Sequence, residues 1–152
     1  MARVLIAVAG AEVDGDAIHE ILGLLRPDHE LIFVTVNHAA VQALVTDAGL
    51  GAPVILADEA WEELDSTARQ SADHELREKL DGLGLQGRIR VETGDPGERI
   101  CAVAIEEKVD LIVMGSHHAG VLRRILGASV ADDVTHHAPC PVLLIRHHDR
   151  PK

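Results

Sequence analysis

Short, continuous apolar runs alternate along this chain with stretches in which apolar residues fall three or four apart. Val4–Val8 is the first run and stops just short of Gly10; Ala17, Ile18, Ile21, Leu22, Leu24 and Leu25 then mark one side of a helix that Pro27 ends. Leu31–Val36 is a second run rich in β-branched residues, and 37–53 is less regular, punctuated by Gly49, Gly51 and Pro53, and reads as a loop with room for a helical turn. From Asp58 to Leu80 comes the longest helical signal, with Trp61, Leu64, Ala68, Ala72, Leu76 and Leu80 on one side and charges on the other. Arg88–Glu92 alternates charged with apolar residues, the pattern of an edge strand. A helix start follows at Gly94-Asp95-Pro96-Gly97-Glu98: Asp95 as N-cap, Pro96 at the first helical position, Glu98 three residues after the cap. That helix is expected to run to Lys108. Leu111–Met114 is a fourth strand, stopping at Gly115. Leu122, Ile125, Leu126, Val130 and Val134 give a last helix, and Val142–Ile145 is a fifth strand after Pro139-Cys140-Pro141.

Five strands alternating with four helices predict an α/β domain with a mostly parallel sheet. Strands this apolar need both faces covered, which places helices on both sides. In such a sheet ligands sit at the carboxyl ends of the strands, where strand order reverses. Gly10 after the first strand, Gly94 after the third and Gly115 after the fourth would open on that edge, beside Asn37 after the second. Glycines there permit tight strand-to-helix turns, and a helix N-terminus behind such a turn suits phosphate.

Composition narrows the function. Apolar residues make up 47% of 152, yet Phe33 and Trp61 are the only aromatics, so the core is aliphatic. Stacking platforms for single-stranded nucleic acid are therefore missing. A net charge of −11, from 14 Lys and Arg against 25 Asp and Glu, repels phosphate backbones and anionic membranes. Cys101 and Cys140 have no metal-ligand spacing and read as packed thiols of a cytoplasmic protein. No run approaches a membrane helix, and Val4–Ala9 is short for a signal peptide although Ala7-Val8-Ala9 imitates a cleavage site.

Three histidine pairs, His117-His118, His136-His137 and His147-His148, stand out, but adjacent side chains diverge by about 100° on a helix and to opposite faces on a strand. No metal site is expected from them. Nor is catalysis expected: there is no G-x-S-x-G elbow, and the adjacency of Ser116 and His117 says little about geometry.

The stretches VLIAVAGAE, TGDPGERICAVAIEEKVDLIVMGSHH and HHAPCPVLLIR, at these spacings, resemble the universal stress protein family over nearly the whole chain. The resemblance implies a single Rossmann-like (adenine nucleotide alpha hydrolase-like) domain over 1–147 with a disordered tail at 148–152. It also implies a five-stranded sheet of order 3-2-1-4-5 and a homodimer paired through Val142, Leu143, Leu144 and Ile145. One branch of the family binds ATP or AMP; another lacks the site and acts as a regulatory dimer. The candidate ATP/AMP site implied by the resemblance comprises Ala9, Gly10, Val36, Gly94, Met114, Gly115, His117, His118, Ala128, Ser129 and Val130.

The binding branch carries G-x-x-G-x9-G-[ST] after the fourth strand. Here Gly115 and Ser129 match its ends, but His118 and Ala128 stand where its second and third glycines fall, and Ala9 replaces an acidic residue. A non-glycine residue at positive φ costs about 1 kcal/mol, and a lost hydrogen-bonded partner about 1–3 kcal/mol. Micromolar affinity needs about 8 kcal/mol in all. The expected function is accordingly a non-enzymatic stress-response dimer with weak or absent nucleotide binding; the alternative is an ATP/AMP-binding sensor using the crevice between the first and fourth strands.

Overall fold

The computed structural model describes residues 1–8, 15–37, 58–115 and 129–145. Its elements in chain order are β1 (Ala2–Val8), α1 (Gly15–Leu24), β2 (His29–Asn37), α2 (Asp58–Gly82), β3 (Arg88–Thr93), α3 (Pro96–Glu106), β4 (Leu111–Gly115), α4 (Ser129–His137) and β5 (Val142–Ile145). The expected loop at 37–53 beyond Asn37, the front of the last helix before Ser129 and the expected tail lie outside the described residues.

Every strand pair is parallel and the order is β3-β2-β1-β4-β5, as the resemblance implies. Register centres on β1: Val4 lies between Leu31 and Leu111, and Ala7 between Val34 and Met114. Alternation along each strand then sorts the apolar runs to two faces. On one face Leu5, Ile32, Val34, Ile112 and Met114 pack with Ile100, Cys101, Val103 and Ala104 of α3 and Val134 of α4. On the other, Val4, Ile6, Leu31, Phe33 and Val113 pack with Ile18 of α1 and with Leu76 and Leu80 of α2. The continuous apolar runs are thus explained by burial on both sides.

The start of α3 is as the sequence predicts, Asp95 Oδ1 accepting from the Glu98 amide at 3.0 Å. Its end is not. The helix stops at Glu106 rather than running through Lys108, because Lys108 takes a left-handed conformation (φ 51°). The Val109 amide then bonds Ala104 O and the Lys108 amide bonds Ile105 O, a Schellman stop that buries Val109. α2 ends identically with Gly84 (φ 68°), its Leu85 amide bonding Leu80 O. Glycine takes this backbone freely, whereas lysine does so at a cost of about 1 kcal/mol. Lys108→Gly should therefore raise stability by about 0.5–1 kcal/mol and Gly84→Ala lower it by a similar amount, read from urea midpoints.

Candidate functional site

After β1 the chain passes to the face covered by α1 and α2; after β4 it passes to the face covered by α3 and α4. Adjacent strands whose helices leave to opposite faces part at their carboxyl ends, and the crevice above Val8 and Gly115 is that point. Gly115 ends β4 beside Ile145, and Met114 is buried beneath it between Ala7 and Leu144. Val36 near the end of β2 and Val130 in the first turn of α4 pack against the same apolar cluster that contains Met114. Ser129 opens α4. The structure thus brings Val36, Met114 and Val130 into one cluster below the crevice. Ala9, Gly10, His117, His118 and Ala128 lie outside the described residues.

Gly94 forms the lip above β3. Its φ of 130° lies in the region reserved for glycine, and the Arg99 stem, its Cδ and Cγ, lies 3.6 Å from where a Cβ would stand. Arg99 belongs to a ladder of charges the sequence reading missed. Glu92, only 7% exposed, accepts from Arg99 Nη2 at 2.6 Å and from Arg90 Nη2 at 2.8 Å. Arg90 also donates to Glu106 and Glu107, Arg88 donates to Glu107 and Glu30, and Arg3 donates to Glu30. The ladder runs from the starts of β1 and β2, across β3, to the first turn of α3. Burial by itself would raise the Glu92 carboxyl, but hydrogen bonds from Arg99 and Arg90 hold it below the usual range. Glu107 is held low chiefly by its bond from Arg88, and Arg90 is pushed up chiefly by Glu106. The signal for the ladder was the alternation Arg88, Arg90, Glu92, which puts three charges on one face; their partners on α3 needed the fold.

Among the described residues outside the ladder the chemistry is quiet. Cys101 is buried and Cys140 half-buried against the same cluster, and burial pushes both thiols up, away from the reactive thiolate. His136 and His137 are exposed at the end of α4, each donating Nδ1–H to the carbonyl four residues before it. Among the described residues no three His, Cys, Asp or Glu side chains are grouped to hold a metal ion, and no helix is long and apolar enough to cross a membrane.

The model of the Universal stress protein family matches residues 1–146. A universal stress protein of Methanothermobacter thermautotrophicus is 30% identical over 151 residues, covering 95% of this chain and 94% of that protein. Among solved structures, protein MJ0577 of Methanocaldococcus jannaschii superposes with a TM-score of 0.62 at 23% identity, over 97% of both chains. An Arabidopsis thaliana family protein, At3g01520, solved with AMP bound, has a TM-score of 0.55 at 17% identity, over 98% of this chain and 94% of that one. The two structural likenesses are likenesses of fold.

Proposed function

The chain belongs to the universal stress protein family, and from that membership we propose that it acts as a non-enzymatic, cytoplasmic regulatory homodimer of the stress response, with weak or no adenine nucleotide binding. The observation that carries this reading is the inequality of the two sheet edges. Along β3 one face is crowded with Arg88, Arg90 and Glu92, the charges by which sheets discourage edge pairing. β5 has no charge at all, and Leu143 and Leu144 are 39% and 42% exposed. An uncharged, apolar terminal strand is open to a second copy of itself, and a two-fold axis closes that contact after one addition. Neither the net charge of −11 nor the scarcity of aromatics suits a nucleic-acid partner.

A second reading, ATP or AMP in the crevice between β1 and β4, is supported by the AMP-bound relative of the same fold and by the cluster of Val36, Met114 and Val130 below that crevice. Freshly purified protein should release no stoichiometric adenine nucleotide on denaturation, and calorimetry should give dissociation constants for ATP and AMP above about 100 μM. Micromolar binding, about −8 kcal/mol, would transfer the conclusion to the second reading. The double variant His118→Gly, Ala128→Gly is expected to strengthen ATP binding by about tenfold or more, each glycine relieving about 1 kcal/mol of strain or a steric block.

A further inference from the structure

We propose that a small recess at the outer edge of β3, under the last turns of α2, binds a free aliphatic α-amino acid. Its cavity is about 180 Å³, below the range of about 300 Å³ and more that holds drug-sized ligands. A nucleotide is too large for it. The lining comes entirely from 77–89, so the recess lies at the amino end of β3, far along the strands from the crevice between β1 and β4.

Local features build this recess. β3 is the terminal strand of the sheet, and no described strand lies beyond its outer edge. Alternation sends Arg88 and Arg90 to the α3 face and Ile89 to the α2 face, where it packs against the cluster that holds Leu80 and Leu85. The Schellman stop at Gly84, closed by the Leu85 amide on Leu80 O at 2.9 Å, folds the chain back beneath α2. Leu80, Leu85 and Ile89 thereby form an apolar floor. Gly87 lies so close to β2 that a Cβ there would meet Leu31 O at 2.7 Å, which holds the entry to β3 tight against the sheet.

The rim carries one charge of each sign. Arg77, Leu80 and Asp81 are three and four residues apart and so share one face of α2. Arg77 donates to Asp73 only at 3.5 Å, the far limit of a hydrogen bond, which leaves most of its five donors unused. No described residue bonds the Asp81 carboxylate or the Gln86 amide. An unpaired carboxylate in the last turn of α2 also sits at the negative end of the helix dipole, a placement that a cation relieves. An anion alone would meet Asp81, and a cation alone would meet Arg77. A zwitterion satisfies both, its carboxylate against Arg77, its ammonium against Asp81 and its side chain on the apolar floor. A residue at the end of a peptide has lost one of those charges, so a free amino acid is the match. The site goes beyond the dimer reading and stands apart from it, since β3 and β5 are opposite edges of the sheet.

Titrating the full chain with leucine should move the backbone amide NMR signals of 84–89 saturably. The expected dissociation constant is about 0.1–1 mM, the strength that exposed ion pairs and a small apolar contact support. Arg77→Gln and Asp81→Asn should each weaken leucine about fivefold, while their urea midpoints stay at the parent's, because both side chains are exposed. N-acetyl-leucine and leucinamide, each lacking one charge, should also bind about fivefold more weakly. The Leu144→Glu variant should bind leucine like the parent, so the dimer can fail without this site failing. Absence of saturable shifts, unaltered affinity in either charge variant, or a blocked derivative binding as tightly as leucine would each overturn the proposal. The first would mean that Arg77 closes on Asp81 and fills the recess itself; the last would make the end of a peptide chain the ligand.

Discussion

Leu144→Glu should convert the proposed dimer to a folded monomer, observed as a halved mass in sedimentation equilibrium. Leu144 pairs with Met114 on its inner side, and its own side chain is exposed, so the fold of one subunit tolerates the change within about 0.5 kcal/mol. In a two-fold pair of β5 strands the same substitution enters twice, close to the axis. Two carboxylates would be taken from water with no cation on either strand to meet them. Even about 4 kcal/mol of penalty raises a dissociation constant about a thousandfold. An intact dimer in this variant would mean that the copies meet elsewhere and that the exposed leucines serve another contact.

Glu92→Ala is expected to cost about 3 kcal/mol, the largest loss from any single charge among the described residues. The carboxylate is buried and receives both Arg90 and Arg99, so its removal leaves two guanidiniums facing a cavity. Each arginine retains a path to solvent, which keeps the loss at the lower end of the range for broken buried pairs. The same ladder sets the acid limit. Glu92 and Glu107 titrate lower in the folded chain than the ordinary value of 4.5. Their contribution is therefore complete above the unfolded value and disappears as pH falls through the folded one. Urea midpoints should hold down to about pH 5 and drop below pH 4.5. Glu92→Gln should flatten that drop; an equal drop in parent and variant would place the acid sensitivity outside the ladder.

The elements themselves were legible because their causes are local. Apolar runs at Val4–Val8 and Leu31–Val36, helical spacing from Trp61 to Leu80, and the Asp95-Pro96 cap each depend on residues within a few positions of one another, and the structure realises all of them. Lys108 was the local exception. Its sequence neighbourhood permits another helical residue, and the chain turns there because the Schellman stop lets Val109 reach the core and brings the Asp110 amide to Arg3 O at the start of β4.

The site was half legible. Glycines at strand ends and the degenerate phosphate loop could be read as types at positions, and Gly94 does take a backbone only glycine accepts freely. What the carboxyl edge offers besides glycines could not be read. Asp65 and Thr93 are distant in sequence, and only their contact shows at what height α2 is set against the end of β3.

By itself, then, the sequence determined the kinds of element, their order, the aliphatic two-faced core and the family, since each follows from short-range periodicity, composition or motif spacing. The tertiary structure alone decided which arginine meets which glutamate, at what height α2 meets β3, and that β5 keeps two leucines exposed while β3 is crowded with charge. Those properties belong to pairs of residues that only the packing of helices against strands brings to one height and one face, and no local pattern encodes that distance.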